Sequence, residues 1–157
     1  MPSVTLRELT PDDLDAVFAM MRDPDAVWMA AFTPPDPDDR AAFDAHQATL
    51  AADPSVVQRA VLLDGRLVGT IGSFVLEGDT EVTYWIDRDA WGQGVASRAL
   101  DVFLLQVPTR PVFGRAASDN TASLRVLQKA GFTPVGSGRA YAAGRRKAVE
   151  ETVLRLG

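Results

Sequence analysis

The feature that most constrains the fold is an Asp64–Gly65 pair that lies between two runs of β-favouring residues. Residues 56–63 and 66–74 flank this pair, and both contain several aliphatic side chains. An Asp-Gly pair favours the tight turn whose backbone twist matches that of two antiparallel strands. A further strand is predicted over residues 81–86, after a second turn at residues 77–79. The middle of the chain is therefore predicted to be an antiparallel meander of three strands.

Before the meander, the sequence predicts one strand and two helices. Residues 4–9 alternate apolar and polar side chains, as a strand does. Thr10, followed by Pro11 and Asp13, is typical of a helix N-terminus, because threonine caps, proline suits the first turn and the carboxylate closes a capping box. A second helix is predicted to begin at Asp36–Pro37, within a proline-rich loop.

After the meander, helices alternate with strands. Helices are predicted over residues 95–107 and 121–130, and strands over residues 112–117, around Ala140 and over residues 147–156. A strand–helix–strand succession implies one parallel pairing in the sheet. The predicted fold class is therefore α+β (α/β mixed), with a central mixed, mostly antiparallel sheet and helices on both sides.

Length and composition are those of a single soluble domain, which we expect to cover residues 1–157. The chain has no cysteine and a single histidine, His46, which argues against disulfides and a zinc site. A net charge of -5 argues against nucleic-acid binding. The N-terminus lacks the apolar core of a signal peptide, and no apolar run approaches the roughly 20 residues that span a bilayer. We expect a cytoplasmic protein with no metal, nucleic-acid or membrane partner.

The most informative segment covers residues 84–97, where a strand ends, a glycine-rich turn follows and a helix begins. Such a junction leaves several backbone N–H groups unpaired near the positive end of the helix dipole, which suits a pyrophosphate. Gly92 and Gly94 have no Cβ that would keep a phosphate from the backbone. Taken alone, two glycines in a tight turn explain this pattern as well. The segment has neither the third glycine of a dinucleotide fingerprint nor the Gly-Lys-Ser/Thr of a P-loop.

A second segment makes the pattern specific. Residues 91–96 resemble the Q/R-x-x-G-x-G/A coenzyme A loop of the GCN5-related N-acetyltransferases (GNAT family). The Asn-x-x-Ser…Lys-x-Gly-Phe run of residues 120–132 is similar to the segment that follows that loop in the branch of ribosomal-protein N-terminal acetyltransferases. The resemblance covers essentially the whole chain. It implies a splayed sheet, an acetyl-CoA cofactor, an amine acceptor and a homodimer.

The resemblance also implies which residues bind the cofactor. These are the backbone of the strand end, the turn with the first helical residues, and three side chains of the later helix: Trp85, Ile86, Asp87, Gly92, Gln93, Gly94, Val95, Ala96, Ser97, Asn120, Ser123 and Lys129. Three of these have plainer explanations: Asn120 as a helix cap, Ser123 as a small residue that permits close packing, and Lys129 as a solvated side chain. The family's loop usually begins with arginine or glutamine, where this chain has Trp91.

Two residues are predicted to act in catalysis. Glu81 would remove a proton from the amine, often through water, although a surface carboxylate explains it nearly as well. Ser123 would hydrogen-bond the cofactor sulfur. In many relatives a tyrosine acts as the general acid on the departing thiolate, and Leu127 occupies its position here. A strand N–H near Trp85 or Ile86 would hold the developing oxyanion. With no cysteine and one histidine, direct transfer in a ternary complex is expected.

The sequence leaves other functions open. One is a catalytically silent module that binds coenzyme A, and another is a nucleotide-binding domain of a different kind. The acceptor is a primary amine of a small molecule or of a protein N-terminus: a polyamine, an amino acid, an aminoglycoside-like drug and a ribosomal-protein terminus all fit. Trp28, Phe32 and Trp85 would line the acceptor pocket, or belong to the core.

Overall fold

The computed structural model describes residues 2–157. The strands are β1 (Val4–Glu8), β2 (Val57–Leu63), β3 (Arg66–Leu76), β4 (Asp79–Ile86), β5 (Val112–Ala117), β6 (Thr133–Ala142) and β7 (Lys147–Leu156). The α-helices are α1 (Leu14–Met21), α2 (Pro24–Ala30), α3 (Arg40–Ala52), α4 (Val95–Gln106) and α5 (Thr121–Lys129). Short 3-10 turns precede α1 and α4, over Pro11–Asp13 and Arg88–Ala90.

All seven strands form one sheet in the order β1-β2-β3-β4-β5-β7-β6. β4 and β5 pair in parallel, and every other neighbouring pair is antiparallel. The parallel pair arises because α4 carries the chain from the end of β4 back to the start of β5. The predicted fold class is confirmed, including the meander β2-β3-β4 and the single parallel pairing.

Helices cover both faces of the sheet, and β5 shows which helix lies on which face. Gly114 faces α5, because a Cβ on this glycine would lie 2.7 Å from the Leu127 side chain. Ala117, three positions along the strand, points to the opposite face and packs with Ala31 at the end of α2. The larger apolar core lies on the α5 side, where Leu100 and Phe103 of α4 are fully buried.

Two early predictions differ from the structure. Helix α2 was not predicted, although Pro24 after Asp23 is a helix-start signal, because seven residues make fewer than two turns and show no clear periodicity. The next helix begins at Arg40 rather than at Asp36–Pro37. Asp39 is the residue whose carboxylate accepts a first-turn N–H, from Ala42, whereas Asp36 accepts the N–H of Asp38 within the preceding loop.

The strand predicted around Ala140 is longer than expected. β6 covers Thr133–Ala142 and lies at the edge of the sheet, where nine of its ten residues are exposed. Such a strand is held mainly by its backbone pairing with β7 rather than by an apolar face. It therefore lacks the alternation of apolar and polar residues by which strands are recognised in a sequence.

The sheet opens between β4 and β5. Within the described part of the chain, these strands pair only at Thr80–Val112, Glu81–Phe113 and Val82–Gly114. Beyond Val82, β4 continues for four residues to Ile86 with β3 as its paired neighbour. The splayed sheet that the family resemblance implied is thus present, and one edge of the last four residues of β4 is left without a strand partner.

Asp13 anchors the start of α1 and gives a prediction for stability. It is 6% exposed, and its carboxylate accepts hydrogen bonds from both Arg7 terminal nitrogens and from the Thr10 N–H. The hydrogen bonds from Arg7 and Thr10 lower the pKa of Asp13 from 3.8 to about 2, against the effect of burial. A lowered pKa stabilises the fold above pH 3.8, and this contribution is lost as the pH falls towards 2.

We expect Asp13→Asn to lower the free energy of unfolding by about 1 to 2 kcal/mol at neutral pH. The difference from the wild type should shrink as the pH falls from about 4 towards 2, because the Asp13 carboxylate of the unfolded chain takes up a proton in this range while that of the folded chain stays ionised until about pH 2. Urea unfolding at several pH values measures both effects. Asp12→Asn, at the exposed neighbouring carboxylate, is the matched control and should leave stability within about 0.5 kcal/mol of the wild type.

Candidate active site

The glycine-rich turn before α4 leads directly into the first turn of the helix. Gly92 and Gly94 both adopt left-handed conformations, with φ of 78° and 74°. Gly94 is the N-cap residue, so the N–H groups of Val95, Ala96 and Ser97 in the first turn have no partner within the helix. Residues 91–94 are exposed, and a Cβ added at either glycine would meet no atom within 4 Å. The turn thus presents N–H groups and open space at the positive end of a helix dipole.

The backbone of β4 directs alternate residues towards the gap. The Asp87 N–H donates to the Val68 carbonyl on β3. Because successive residues of a strand direct their N–H and C=O groups to opposite edges, Trp85 also directs its groups towards β3. The groups of Tyr84 and Ile86 therefore face the open edge beside β5. Of the three residues predicted to pair with the pantetheine, Ile86 alone has its backbone on that edge.

Trp91 occupies the first position of the family's loop and has a role that the sequence did not reveal. Its indole Nε1–H donates to the Ile86 carbonyl over 2.9 Å. This bond joins the glycine-rich turn to the end of β4, on the open edge. The tryptophan therefore fixes the turn through its side chain and does not use the backbone N–H groups of the turn.

The first turn of α5 brings two predicted residues beside β4. Asn120 accepts the Ser123 N–H at 3.2 Å as a helix cap and donates its amide to the Met29 carbonyl in α2. Both ends of the Asn120 side chain thus have protein partners. The Ser123 hydroxyl lies 2.7 Å from the Tyr84 hydroxyl, a contact between residues 39 positions apart. Burial raises the pKa of Tyr84 to about 12, in spite of the hydrogen bond with Ser123.

Two other positions of α5 lie apart from this contact. Leu127 is 1% exposed and packs against Gly114, so its side chain belongs to the core. Lys129 is exposed at the C-terminal end of the helix, about 9 Å along the axis from Ser123. The structure therefore separates Lys129 from the open end of β4.

Glu81 lies on the face of β4 opposite to Tyr84, just before the strands separate. It is 3% exposed, and Arg115 on β5 donates to its Oε1 over 3.0 Å. Burial raises the pKa of Glu81 above its ordinary 4.5, and this effect exceeds the lowering by Arg115. Thr83, the next residue on the same face, is exposed although it lies in the central strand, which marks an opening beside Glu81.

The face of the gap on which Trp85 lies is covered by α1 and α2. Trp85 is half-buried, and its indole N–H donates to the Met20 carbonyl at the end of α1. Trp28 is 53% exposed, with the Arg145 guanidinium stacked 3.7 Å from its ring. Arg145 also forms a bidentate pair with Asp119, the residue before the α5 cap. The β6–β7 turn thereby links α2 to the start of α5.

A cavity of about 460 Å³ opens between α1 and the turn that follows β4. Its lining includes Asp23, Asp87 and Asp89, together with Arg88. Asp23 is paired with Arg88 at 2.6 Å, which leaves the cavity with a net excess of negative charge. His46 is exposed on α3, and no group of the described residues has the arrangement of a metal site. In the same part of the chain, no helix is both long and apolar enough to cross a membrane.

These features fit a thioester with a long amide-containing arm that is attached to a pyrophosphate. The glycine-rich turn offers N–H donors to an anion, and the open edge of β4 offers strand-like hydrogen bonds to amides. The family model described as "Acetyltransferase (GNAT) domain" matches residues 3–133. The chain belongs to this GNAT family. It is accordingly an acetyl-CoA-dependent N-acetyltransferase.

Three solved structures with the same fold were compared with this chain. RimJ from Mycobacterium smegmatis, in complex with CoA-disulfide, is 21% identical, with a TM-score of 0.81 over 98% of this chain and 81% of that one. A phosphinothricin acetyltransferase from Sinorhizobium meliloti, in complex with acetyl-CoA, is 15% identical, with a TM-score of 0.82 over 98% and 87%. Spermidine N-acetyltransferase from Vibrio cholerae, in complex with CoA and spermine, is 15% identical, with a TM-score of 0.79 over 97% and 95%. At these identities the likeness shows the fold alone. No curated protein sequence matches the chain.

Two contacts of this GNAT site were missed by the sequence interpretation. The alternation of β4 already places Tyr84 on the face opposite to Trp85, the face that α5 covers, and this signal was available. The ion pair between Glu81 and Arg115 could not be predicted in the same way, because this contact depends on the register between β4 and β5.

Proposed function

We propose that this chain transfers the acetyl group of acetyl-CoA directly to a primary amine, in a complex that holds both molecules. The observation that carries this proposal is the opening of the sheet after Val82, which lies between the glycine-rich turn and the first turn of α5. The opening exposes one backbone edge of β4 for the cofactor and reaches both faces of the sheet. An acceptor can therefore approach from one face while the thiol leaves towards the other.

The cofactor would be held mainly by backbone groups. The N–H groups of residues 92–97 would bind the pyrophosphate, and the Ile86 N–H and the backbone groups of Tyr84 would pair with the pantetheine amides on the open edge, since the Ile86 carbonyl already accepts from Trp91. Ser123 would donate a hydrogen bond to the sulfur atom. The role of Asn120 in this proposal is to cap α5 and so place Ser123, because both ends of its side chain are already bonded. Acetyl-CoA supplies an activated acyl group, so the protein needs no nucleophile of its own.

Glu81 would take up the proton that the amine loses. A carboxylate that is buried but ionised accepts a proton more readily than an exposed one, and the opening at Thr83 allows a water molecule to connect it to the acceptor. The described residues contain no cysteine, and their single histidine, His46, is exposed on α3. This supports direct transfer over an acyl-enzyme.

A cationic acceptor suits the charges around the opening. Asp23, Asp87 and Asp89 line the cavity beside the end of β4, and the chain carries a net charge of -5. Such a field raises the local concentration of ammonium groups before one of them loses its proton. The proposed acceptor is accordingly a small amine or a protein N-terminus that carries positive charge at neutral pH.

The proposal is tested by measuring thiol release from acetyl-CoA with a polyamine, an amino acid, an aminoglycoside and a short peptide with a free N-terminus. We expect at least one of them to be acetylated in equal amount to the thiol released, and initial rates at varied concentrations of both substrates to give intersecting double-reciprocal lines. Parallel lines would indicate an acyl-enzyme. Tight binding of acetyl-CoA without turnover of any amine would instead support a module that only binds coenzyme A.

A further inference from the structure

The contact between Tyr84 and Ser123 is short, partly buried and part of neither the sheet nor the helix. The two hydroxyl oxygens are 2.7 Å apart, which is an ordinary length for a hydrogen bond between hydroxyls. Tyr84 lies on the last part of β4, which pairs with β3 but not with β5, and Ser123 lies in the first turn of α5. The contact therefore joins the strand beside the cofactor to the residue proposed to meet the cofactor sulfur.

Either hydroxyl could donate in this contact, and the surrounding acceptors favour Tyr84 as the donor. If Ser123 donated to Tyr84, the tyrosine proton would have only the Ser123 carbonyl as a protein acceptor, at 3.4 Å, beyond the usual range for O–H···O bonds. If Tyr84 donates to Ser123 Oγ, the tyrosine proton has an acceptor at an ordinary hydrogen-bond distance of 2.7 Å. Tyr84 keeps its proton throughout the neutral range, so it is available as a donor. The Ser123 hydroxyl proton is then free to bond a third atom.

We propose that Tyr84 is a positioning residue, which donates its hydroxyl proton to Ser123 Oγ and so directs the Ser123 O–H at the sulfur that leaves during acetyl transfer. This inference rests on the proposed function. This role of Tyr84 explains how the chain stabilises the departing sulfur, although Leu127 occupies the position where many relatives carry a tyrosine that acts as the general acid. Leu127 is held in the core against Gly114, and Tyr84 approaches the same helix from the sheet instead.

The proposed step balances without proton transfer through the two hydroxyls. The amine nitrogen forms a bond to the acetyl carbon, and the carbon–sulfur bond breaks with its electron pair on sulfur. The proton lost by the amine goes to Glu81. Ser123 keeps its proton and donates a hydrogen bond to the thiolate, while Tyr84 keeps its proton and donates to Ser123. Neither hydroxyl has to ionise, which agrees with the burial of Tyr84.

The test compares Tyr84→Phe with Tyr141→Phe, which removes the hydroxyl of the chain's other tyrosine, 68% exposed on β6. The first readout is equilibrium binding of CoA and of desulfo-CoA, which lacks the sulfur, between pH 7 and 10. We expect the wild type and Tyr141→Phe to favour CoA over desulfo-CoA increasingly as the thiol ionises. Tyr84→Phe should lose this preference by about tenfold, the effect of one hydrogen bond to an ionised group.

The second readout is the rate of acetyl transfer. Tyr84→Phe should lower kcat by about tenfold or more and leave KM for acetyl-CoA within about twofold, because the Ser123 bond strengthens only as charge develops on sulfur. In a Ser123→Ala background, Tyr84→Phe should cause no further loss, since its effect passes through Ser123. Equal losses from Tyr84→Phe in the two backgrounds would overturn the proposal.

Folding and function failures remain distinguishable. If Tyr84→Phe does not fold, Ser123→Ala alone must lose the preference for CoA over desulfo-CoA, and retention of that preference would overturn the inference. If the wild type binds neither acetyl-CoA nor CoA, the proposed function fails. If the wild type turns over and Tyr84→Phe behaves like Tyr141→Phe in both readouts, only the positioning role of Tyr84 fails.

Discussion

We expect Glu81→Gln to lower kcat/KM for the acceptor by about 100-fold or more at neutral pH, within the range for loss of a general base. The amide keeps the size of the side chain and an oxygen that can accept the Arg115 hydrogen bond, so the fold should persist. Burial holds the pKa of Glu81 above 4.5, and activity should therefore fall as the pH drops through that raised pKa. Steady-state rates over a range of pH should show this acidic limb in the wild type and its loss in the variant.

The matched control is Glu151→Gln, because Glu151 also lies near Arg115, at 3.6 Å, but belongs to β7. Both substitutions remove a carboxylate from the same arginine, and only one removes it from the opening in the sheet. An equal loss of activity in the two variants would show that the ion-pair cluster, rather than a base, is what matters. Unfolding in urea should confirm that both variants remain folded under the assay conditions.

The second large effect is expected in cofactor binding, from Gly94→Ala. Gly94 has φ of 74° and is the N-cap of α4, where a Cβ would occupy open space at the proposed pyrophosphate site, so we expect the pyrophosphate to lose one or more hydrogen bonds. We expect the affinity for acetyl-CoA to fall by about 10- to 100-fold. Isothermal calorimetry with CoA measures this directly, without an acceptor.

Gly65→Ala is the control for backbone strain. Gly65 has φ of 82° in the β2–β3 turn, and a Cβ there also meets no atom within 4 Å, so alanine imposes a similar strain of about 1 kcal/mol at both positions. The two variants should therefore lose similar stability, and only Gly94→Ala should lose affinity. Weakened binding in both variants would show that general destabilisation, and not the cradle, is responsible.

Much of this fold is predictable because local signals agree with the final structure. The Asp64–Gly65 turn sets the meander, and Pro11 with Asp13 marks the start of the first helical region. Where local signals are weak, the prediction was incomplete. Helix α2, too short to show a period, was missed, and β6, an exposed edge strand without an apolar face, was predicted only around Ala140 and proved longer.

The candidate site divides in the same way. The glycine-rich turn is continuous in sequence, so Gly92 and Gly94 could be recognised from the chain alone. The pairs Tyr84–Ser123 and Glu81–Arg115 join residues 39 and 34 positions apart, and they form only once α5 and β5 have packed beside β4. Sequence periodicity gives the face on which each residue lies but not its partner across the interface between two elements. The predicted roles of the individual site residues stay predictions until the variants are measured.

The gap between β4 and β5 also has a thermodynamic consequence. Part of β4, a central strand, lacks hydrogen-bond partners on one edge, and a ligand that pairs with this edge would supply the missing hydrogen bonds. Any ligand that binds only the folded chain stabilises it by an amount that grows with its concentration. The supply of acetyl-CoA in the cell would then set not only how fast this protein works but also how much of it resists unfolding and proteolysis.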